Sequence, residues 1–235
     1  MNLIDIVVLL VLAIMVLGGW YKGFLSSTLS VALTLAAWLL AFALLTPVSG
    51  LVEKNQDLYN MLLYYTEGSE YVAKTSVELT RVSADDVPLE TLTEVIETAD
   101  MPLPMGDRVA HNVAVEAFAD DGYTTLGDYF NVTIVRVVIN IFSLLISFVI
   151  ARLLLGFIAG CVEHALGGYP ALVRFDDAIG AGIGLIHGVI ILFIAFLVVP
   201  VALTVLPKLY TYLEESFFGE FFYRVNPFLL TVPGT

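Results

Sequence analysis

Apolar residues run along this chain in stretches too long for a soluble core, with one polar region between them. Leu3 to Gly19 is apolar except for Asp5, and Phe24 to Leu45 is apolar again. A spanning helix takes roughly 20 mainly apolar residues, so each run is read as one span. Trp20, Tyr21 and Lys22 between them suit the headgroup level and predict an interfacial turn starting at Gly18-Gly19. Two spans so closely joined must be antiparallel neighbours. A secretory signal would open on a basic region; Met1 to Asp5 has no Lys or Arg, so the first run is expected to stay in the membrane. Pro47, Ser49 and Gly50 are expected to end the second span.

The polar region follows. Leu51, Leu58, Met61, Leu62 and Tyr65 recur at helical spacing. Pro88-Leu89-Glu90 opens a second helix with Leu92, Val95 and Ile96 on one side, and Met101-Pro102-Leu103-Pro104 breaks it. Asp107 to Phe118 is expected to form a third, before a turn at Asp120-Asp121-Gly122. Pieces this short are expected to pack on one another and on the membrane surface, with no large core of their own.

Val132 to Ala165 reads as one helical stretch. It would be about 50 Å long against a hydrocarbon core of about 30 Å. It must kink, tilt or come out, and Arg152 to Gly160 is the expected place, leaving Phe157 to Leu166 along the surface until Gly167-Gly168-Tyr169-Pro170 stops it. The last span runs from Arg174 to Pro200. Beyond Pro207 the aromatics Tyr210, Tyr212, Phe217, Phe218, Phe221, Phe222 and Tyr223 alternate with charges and predict an interfacial amphipathic helix. The pattern therefore predicts an all-α membrane protein. Spans one and two lie in 1–45, an acidic helical extramembrane insert in 46–130, spans three and four with an interfacial helix between them in 131–206, and an amphipathic interfacial tail in 207–235.

Composition sharpens this. The chain is 59 % hydrophobic and only 14 % charged, where soluble domains average about 45–50 % and about 25 %. Of its net charge of −13, residues 46–130 carry −12, from sixteen acidic and four basic side chains. An excess of that sign leaves nothing to neutralise nucleic-acid phosphates. One cysteine, Cys161, rules out an internal disulfide framework. Lys22, Arg152 and Arg174 fall on one side of the four-span scheme, Lys208 and Arg224 on the other. By the positive-inside rule the insert and both termini are placed outside.

Gly180, Gly184 and Gly188 recur every four residues and bare one helix face, the small-xxx-small contact of membrane helices. Ser26, Ser30 and Thr34, continued by Ala37 and Ala41, form a second small-residue stripe. His187 inside the last span is either a functional ionisable group or a neutral imidazole bonded between helices. Arg136 and Asn140, one turn apart, suit a proton or ion path, or equally a snorkelling guanidinium and an interhelical amide bond. Asp176 and Asp177 suit an N-terminal cap better than a metal pair, since adjacent side chains diverge. Cys161 and His164 have the spacing of a dyad but no recognisable oxyanion turn nearby.

Four local patterns, in this order, resemble the CvpA (colicin V production) family. They are the acidic residue at the mouth of the first helix in Leu3-Ile4-Asp5, and the basic-Gly-Phe turn Lys22-Gly23-Phe24 with Leu29-Ser30 after it. Then come Val162-Glu163 ahead of Gly167, and Gly180-xxx-Gly184-xxx-Gly188 with Asp176 four residues before. Asp177 and His187 depart from the family pattern, which favours a basic residue at the first and Arg or an apolar residue at the second. The resemblance implies a multi-pass inner-membrane protein tied to production or export of a peptide toxin, and more loosely to envelope stress tolerance. No enzyme chemistry or cofactor is expected. The expected partners are the lipid bilayer and another membrane or extracytoplasmic protein, or a second copy. The other reading is a small channel or transporter with a polar path through Arg136, Asn140 and His187.

Overall fold

The computed structural model describes residues 2–66, 69–83, 86–99, 101–109, 125–165, 176–206 and 208–233. Among them every regular element is helical and no strand occurs. The helices are α1 (Leu3–Glu53), α2 (Gln56–Thr66), α3 (Ser69–Ala73), α4 (Leu89–Ala99), α5 (105–109), α6 (Leu126–Ala165), α7 (Asp176–Ala195), α8 (Val198–Val205), α9 (Leu209–Glu214) and α10 (Phe217–Arg224). Three stretches are long and apolar enough to cross a membrane: Leu3–Glu53, Leu126–Cys161 and Asp177–Val205. Their outer faces carry large apolar side chains in the open, such as Leu17 at 68 % and Phe157 at 74 % exposure. A water-surrounded protein rarely shows so broad an apolar surface.

The first unit comprises Met1–Val48, Ser143–Leu197 and Tyr210–Asn226. It is organised around a bend in α1. Gly23 has φ 77° and ψ 179°, a conformation that side-chain-bearing residues rarely adopt. Across it the Ser27 hydroxyl donates to the Gly19 carbonyl at 3.4 Å. Residues eight apart in an unbroken helix are about 12 Å apart along the axis, so the halves of α1 lie side by side. The bend falls at Gly23, after the expected turn; Gly18 and Gly19 stay helical. In the second half Ala37 and Ala41 are fully buried, and Trp38 packs edge-on against Phe148 of α6. At the other end α10 lies against α7, with Phe222 4.9 Å from Phe193 and 5.6 Å from Phe196 between ring centroids.

The second unit comprises Ser49–Phe142, Val198–Leu209 and Pro227–Thr235. The pieces of the insert pack on one another, as expected, and their core takes in residues the expectation did not name. Val72, Val87, Leu92, Val95, Val109, Leu126 and Phe130 pack together, with Tyr71, Leu79 and Ile96 around them. The sequence reading missed this because two of the seven, Leu126 and Phe130, belong to the first turns of α6. That helix starts six residues before the expected Val132. Lys74 Nζ donates to the Ala99 carbonyl at 2.9 Å, a cation where the dipole of α4 favours one. α2 lies against α8. The chain end is tied in as well, since Arg108 donates to the Val232 carbonyl and Asn140 to that of Pro233.

Two further expectations differ from the structure. Pro47 does not end α1, which continues to Glu53. Proline removes one hydrogen bond and crowds the preceding turn, but a helix already formed on its N-terminal side can carry on past it. The break expected between Arg152 and Gly160 is also absent, and α6 is helical through both to Ala165. Gly156 and Gly160 lower helix propensity by about 1 kcal/mol each, which the flanking Leu153–Leu155 and Phe157–Ile158 runs outweigh. Of the helix expected over Asp107 to Phe118, residues 107–109 are helical as the end of α5, and the remainder, with the turn at 120–122 and the stop at 167–170, lies outside the described residues.

Candidate functional site

The glycine row of α7 lies on α1. A methyl group at Gly180 would run into the Gly19 carbonyl and the Gly23 backbone, and one at Gly184 into the Met15 carbonyl and Gly19 Cα. Gly19 in turn has no room because Gly180 and Gly184 face it. Backbone therefore meets backbone over two turns. Gly188 is less confined: the nearest atoms, Leu12 Cδ2 and Met15 Cβ at 3.1 Å, belong to side chains. Gly182 faces open space. The row is thus occupied within the chain, by the first half of α1.

His187 sits between the second and third of these glycines and reaches the other half of α1. Its Nε2 is 2.9 Å from Thr34 Oγ1, and that hydroxyl donates its one hydrogen to the Ser30 carbonyl at 2.9 Å. One stretch of α7 holds both halves of α1 together, through bare backbone on one and a side-chain hydrogen bond on the other. Lys22 and Arg152 lie within electrostatic reach of the imidazole.

The small-residue stripe of α1 is buried at Thr34, Ala37 and Ala41 as expected and differs only at its start. Ser26 is exposed, Ser30 half-buried, and Ser27 is the serine turned inward, in line with Thr34, Ala37, Ala41 and Leu45. One residue is 100° of helix rotation, enough to move a hydroxyl from the inner face to the outer one. Lys22 is exposed and Gly23 buried. Asp176 is the first residue of α7, while its side chain lies outside the described residues; Asp177 is exposed. Arg136 is half-buried and Asn140 buried, both in the second unit, whereas His187 belongs to the first. Cys161 is exposed, and the side chain of His164 is outside the described residues. Among the described residues no three His, Cys, Asp or Glu side chains gather as metal ligands would.

One constellation was not anticipated. Asp5 is buried at 2 % exposure. Its Oδ1 accepts from the Ser216 hydroxyl at 2.7 Å and from the Phe218 amide at 3.1 Å, and its Oδ2 accepts from the Asn2 amide at 3.0 Å. Ser216 caps α10 and accepts from the Gly219 amide at 2.9 Å. A carboxylate from α1 therefore completes the N-terminus of α10, where free amides and dipole both favour it. Asn2 Nδ2 donates to the Tyr212 carbonyl and Asn226 Nδ2 to that of Phe193, at 2.8 Å for the second. Asp5, as the lone charge of an apolar run, was the visible half of this signal.

No curated protein and no solved structure matches the chain. The glycine row and Val162-Glu163, two of the four patterns that suggested a family, lie beyond the stretch that a family model covers. That stretch is residues 4–69, containing Asp5, the Gly23 bend and α2, and over it the chain matches the family described as Colicin V production protein.

Proposed function

We propose that this chain is a four-span inner-membrane protein that supports the production or export of a peptide toxin, and also tolerance of envelope stress. Gly23 makes two spans of α1, and α6 and α7 are the third and fourth. The insert lies outside the cytoplasmic membrane. The protein works without catalysis, by holding a partner from the membrane or the extracytoplasmic space. The observation that carries this reading is the family match over 4–69 on a helix that folds back at Gly23. Since the glycine row is used up against α1, a partner is met elsewhere. The insert offers the surface: its hydrophobic side closes on its own core, while Glu90, Glu94 and Glu97 of α4 are all exposed. Deleting the gene in a toxin-producing host is expected to reduce exported toxin to background, and the wild-type chain to restore it. Changing Glu90, Glu94 and Glu97 to lysine should fail to restore it, although the protein reaches the membrane in normal amount. Toxin output untouched by the deletion would remove the reading.

A second reading is a small channel or transporter using Arg136, Asn140 and His187. It rests on the polar character of these three positions within stretches that are otherwise apolar. It predicts pH-dependent solute flux in proteoliposomes that His187→Ala abolishes. Flux no faster than in empty liposomes ends it.

A further inference from the structure

Five polar side chains share one face of α6. Thr133, Arg136, Asn140, Ser143 and Ser147 recur at alternating spacings of three and four, which brings them to one side of a helix. At 1.5 Å per residue the row is about 21 Å long. Thr133, Asn140, Ser143 and Ser147 are buried, whereas Phe142, Ile146, Val149 and Ile150 of the same helix are exposed. From Phe142 to Ile150 the polar side is the inner one and the opposite side is apolar and exposed, whereas 132–141 is buried almost all round.

Hydroxyls in membrane helices commonly fold back onto the carbonyl of the preceding turn. This chain does so repeatedly: Thr28 donates to the Phe24 carbonyl at 2.8 Å, Thr34 to Ser30 at 2.9 Å and Thr66 to Leu62 at 2.6 Å. Ser143 and Ser147 do not. Both are fully buried, and neither Oγ has a hydrogen-bond partner among the described residues. If close packing were all these positions supplied, alanine would serve without the cost of burying an unpaired hydroxyl. Side chains one turn apart have Cβ atoms about 5–6 Å from each other. A single water, bonded at about 2.8 Å to each oxygen, bridges that separation. Buried water in proteins sits where polar groups would otherwise go unsatisfied.

We propose that Ser143 and Ser147 form an internal water site on the inner face of α6, inside the apolar stretch that crosses the membrane. Water is the ligand, and the two hydroxyls fix it. The site requires neither toxin export nor solute flux and stands apart from both readings above.

The test uses the full chain in lipid bilayers. Polarisation transfer from water protons, followed by solid-state NMR, reports which side chains touch water. Ser143 and Ser147 are expected to gain signal about as fast as exposed Thr98 of α4, and far faster than lipid-facing Ile146. Build-up as slow as that of Ile146 at both serines overturns the site, and this wild-type measurement decides alone. Ser147→Ala gives an independent sign. Losing a hydroxyl that holds water lowers the melting temperature and slows transfer to Ser143, whereas losing an unpaired hydroxyl raises the melting temperature or leaves it unchanged. A rise or no change therefore also counts against the site.

Discussion

Gly184→Leu is expected to separate α7 from α1. The added side chain has to occupy the space of the Met15 carbonyl and Gly19 Cα, which are backbone atoms and cannot rotate away. Overpacking of ordinary cores costs about 1–3 kcal/mol and occasionally more; here the obstruction is a second helix backbone, so the upper part of that range or beyond is expected. Even Gly184→Ala should be costly, because the first carbon alone collides. Gly188→Ala should be milder, since its neighbours at 3.1 Å, Leu12 Cδ2 and Met15 Cβ, are side-chain atoms that need give by only a few tenths of an ångström. Gly182→Ala has open space and is expected to stabilise the helix by up to about 1 kcal/mol. Melting temperatures in mild detergent check the order, and disulfide cross-linking between cysteines placed at 12 and 188, where the neighbours are side chains, checks the contact. Equal stability of the Gly182 and Gly184 alanine variants would falsify the backbone contact.

Asp5→Ala is expected to release α10. The Ser216 hydroxyl and the Phe218 amide lose their acceptor while still buried or half-buried, and the Asn2 amide loses its own. Hydrogen bonds to a charged group are stronger than those between neutral partners, so a clear loss of stability is expected even after partial rehydration. Asp5→Asn keeps an acceptor oxygen and should lose roughly half of that. Hydrogen exchange at the amides of Phe218 and Gly219 is the readout. It should speed up strongly in Asp5→Ala and weakly in Asp5→Asn, while α4 of the insert stays protected. Unchanged exchange in Asp5→Ala means that α10 is held by Phe222 against Phe193 and Phe196 instead.

The local rules of the sequence carried the helices, because apolar run length and four-residue glycine spacing are properties of neighbours. They were less able to say what each glycine is for. Gly18, Gly19 and Gly23 look alike in a list of letters, yet Gly18 meets nothing, Gly19 admits another backbone and Gly23 alone takes a left-handed φ. The difference is imposed by α7, which lies more than 150 residues away. The same holds for Ser26 and Ser27: small residues fill both positions, and only the register of the bend decides which hydroxyl turns inward. The insert core escaped notice because Val72 and Val87 sit in short segments without periodicity, and because Leu126 and Phe130 read as the approach to a span. Asp5 with Ser216 was illegible for a plainer reason. Nothing near either residue in the chain refers to the other, and the pairing depends on the whole bundle bringing the two ends of the first unit together.

That pairing sets a timetable for assembly. Asp5 and Ser216 are 211 residues apart. At ribosomal speeds of about 5–20 residues per second, the carboxylate is made about 10–40 seconds before its acceptor role can be filled. For that interval the Asn2 amide can already serve Oδ2, while Oδ1 waits for both of its donors. A chain cut short before Ser216 never supplies them. An unfinished molecule therefore differs from a finished one on its earliest-made helix, where Asp5 still lacks the Ser216 hydroxyl and the Phe218 amide.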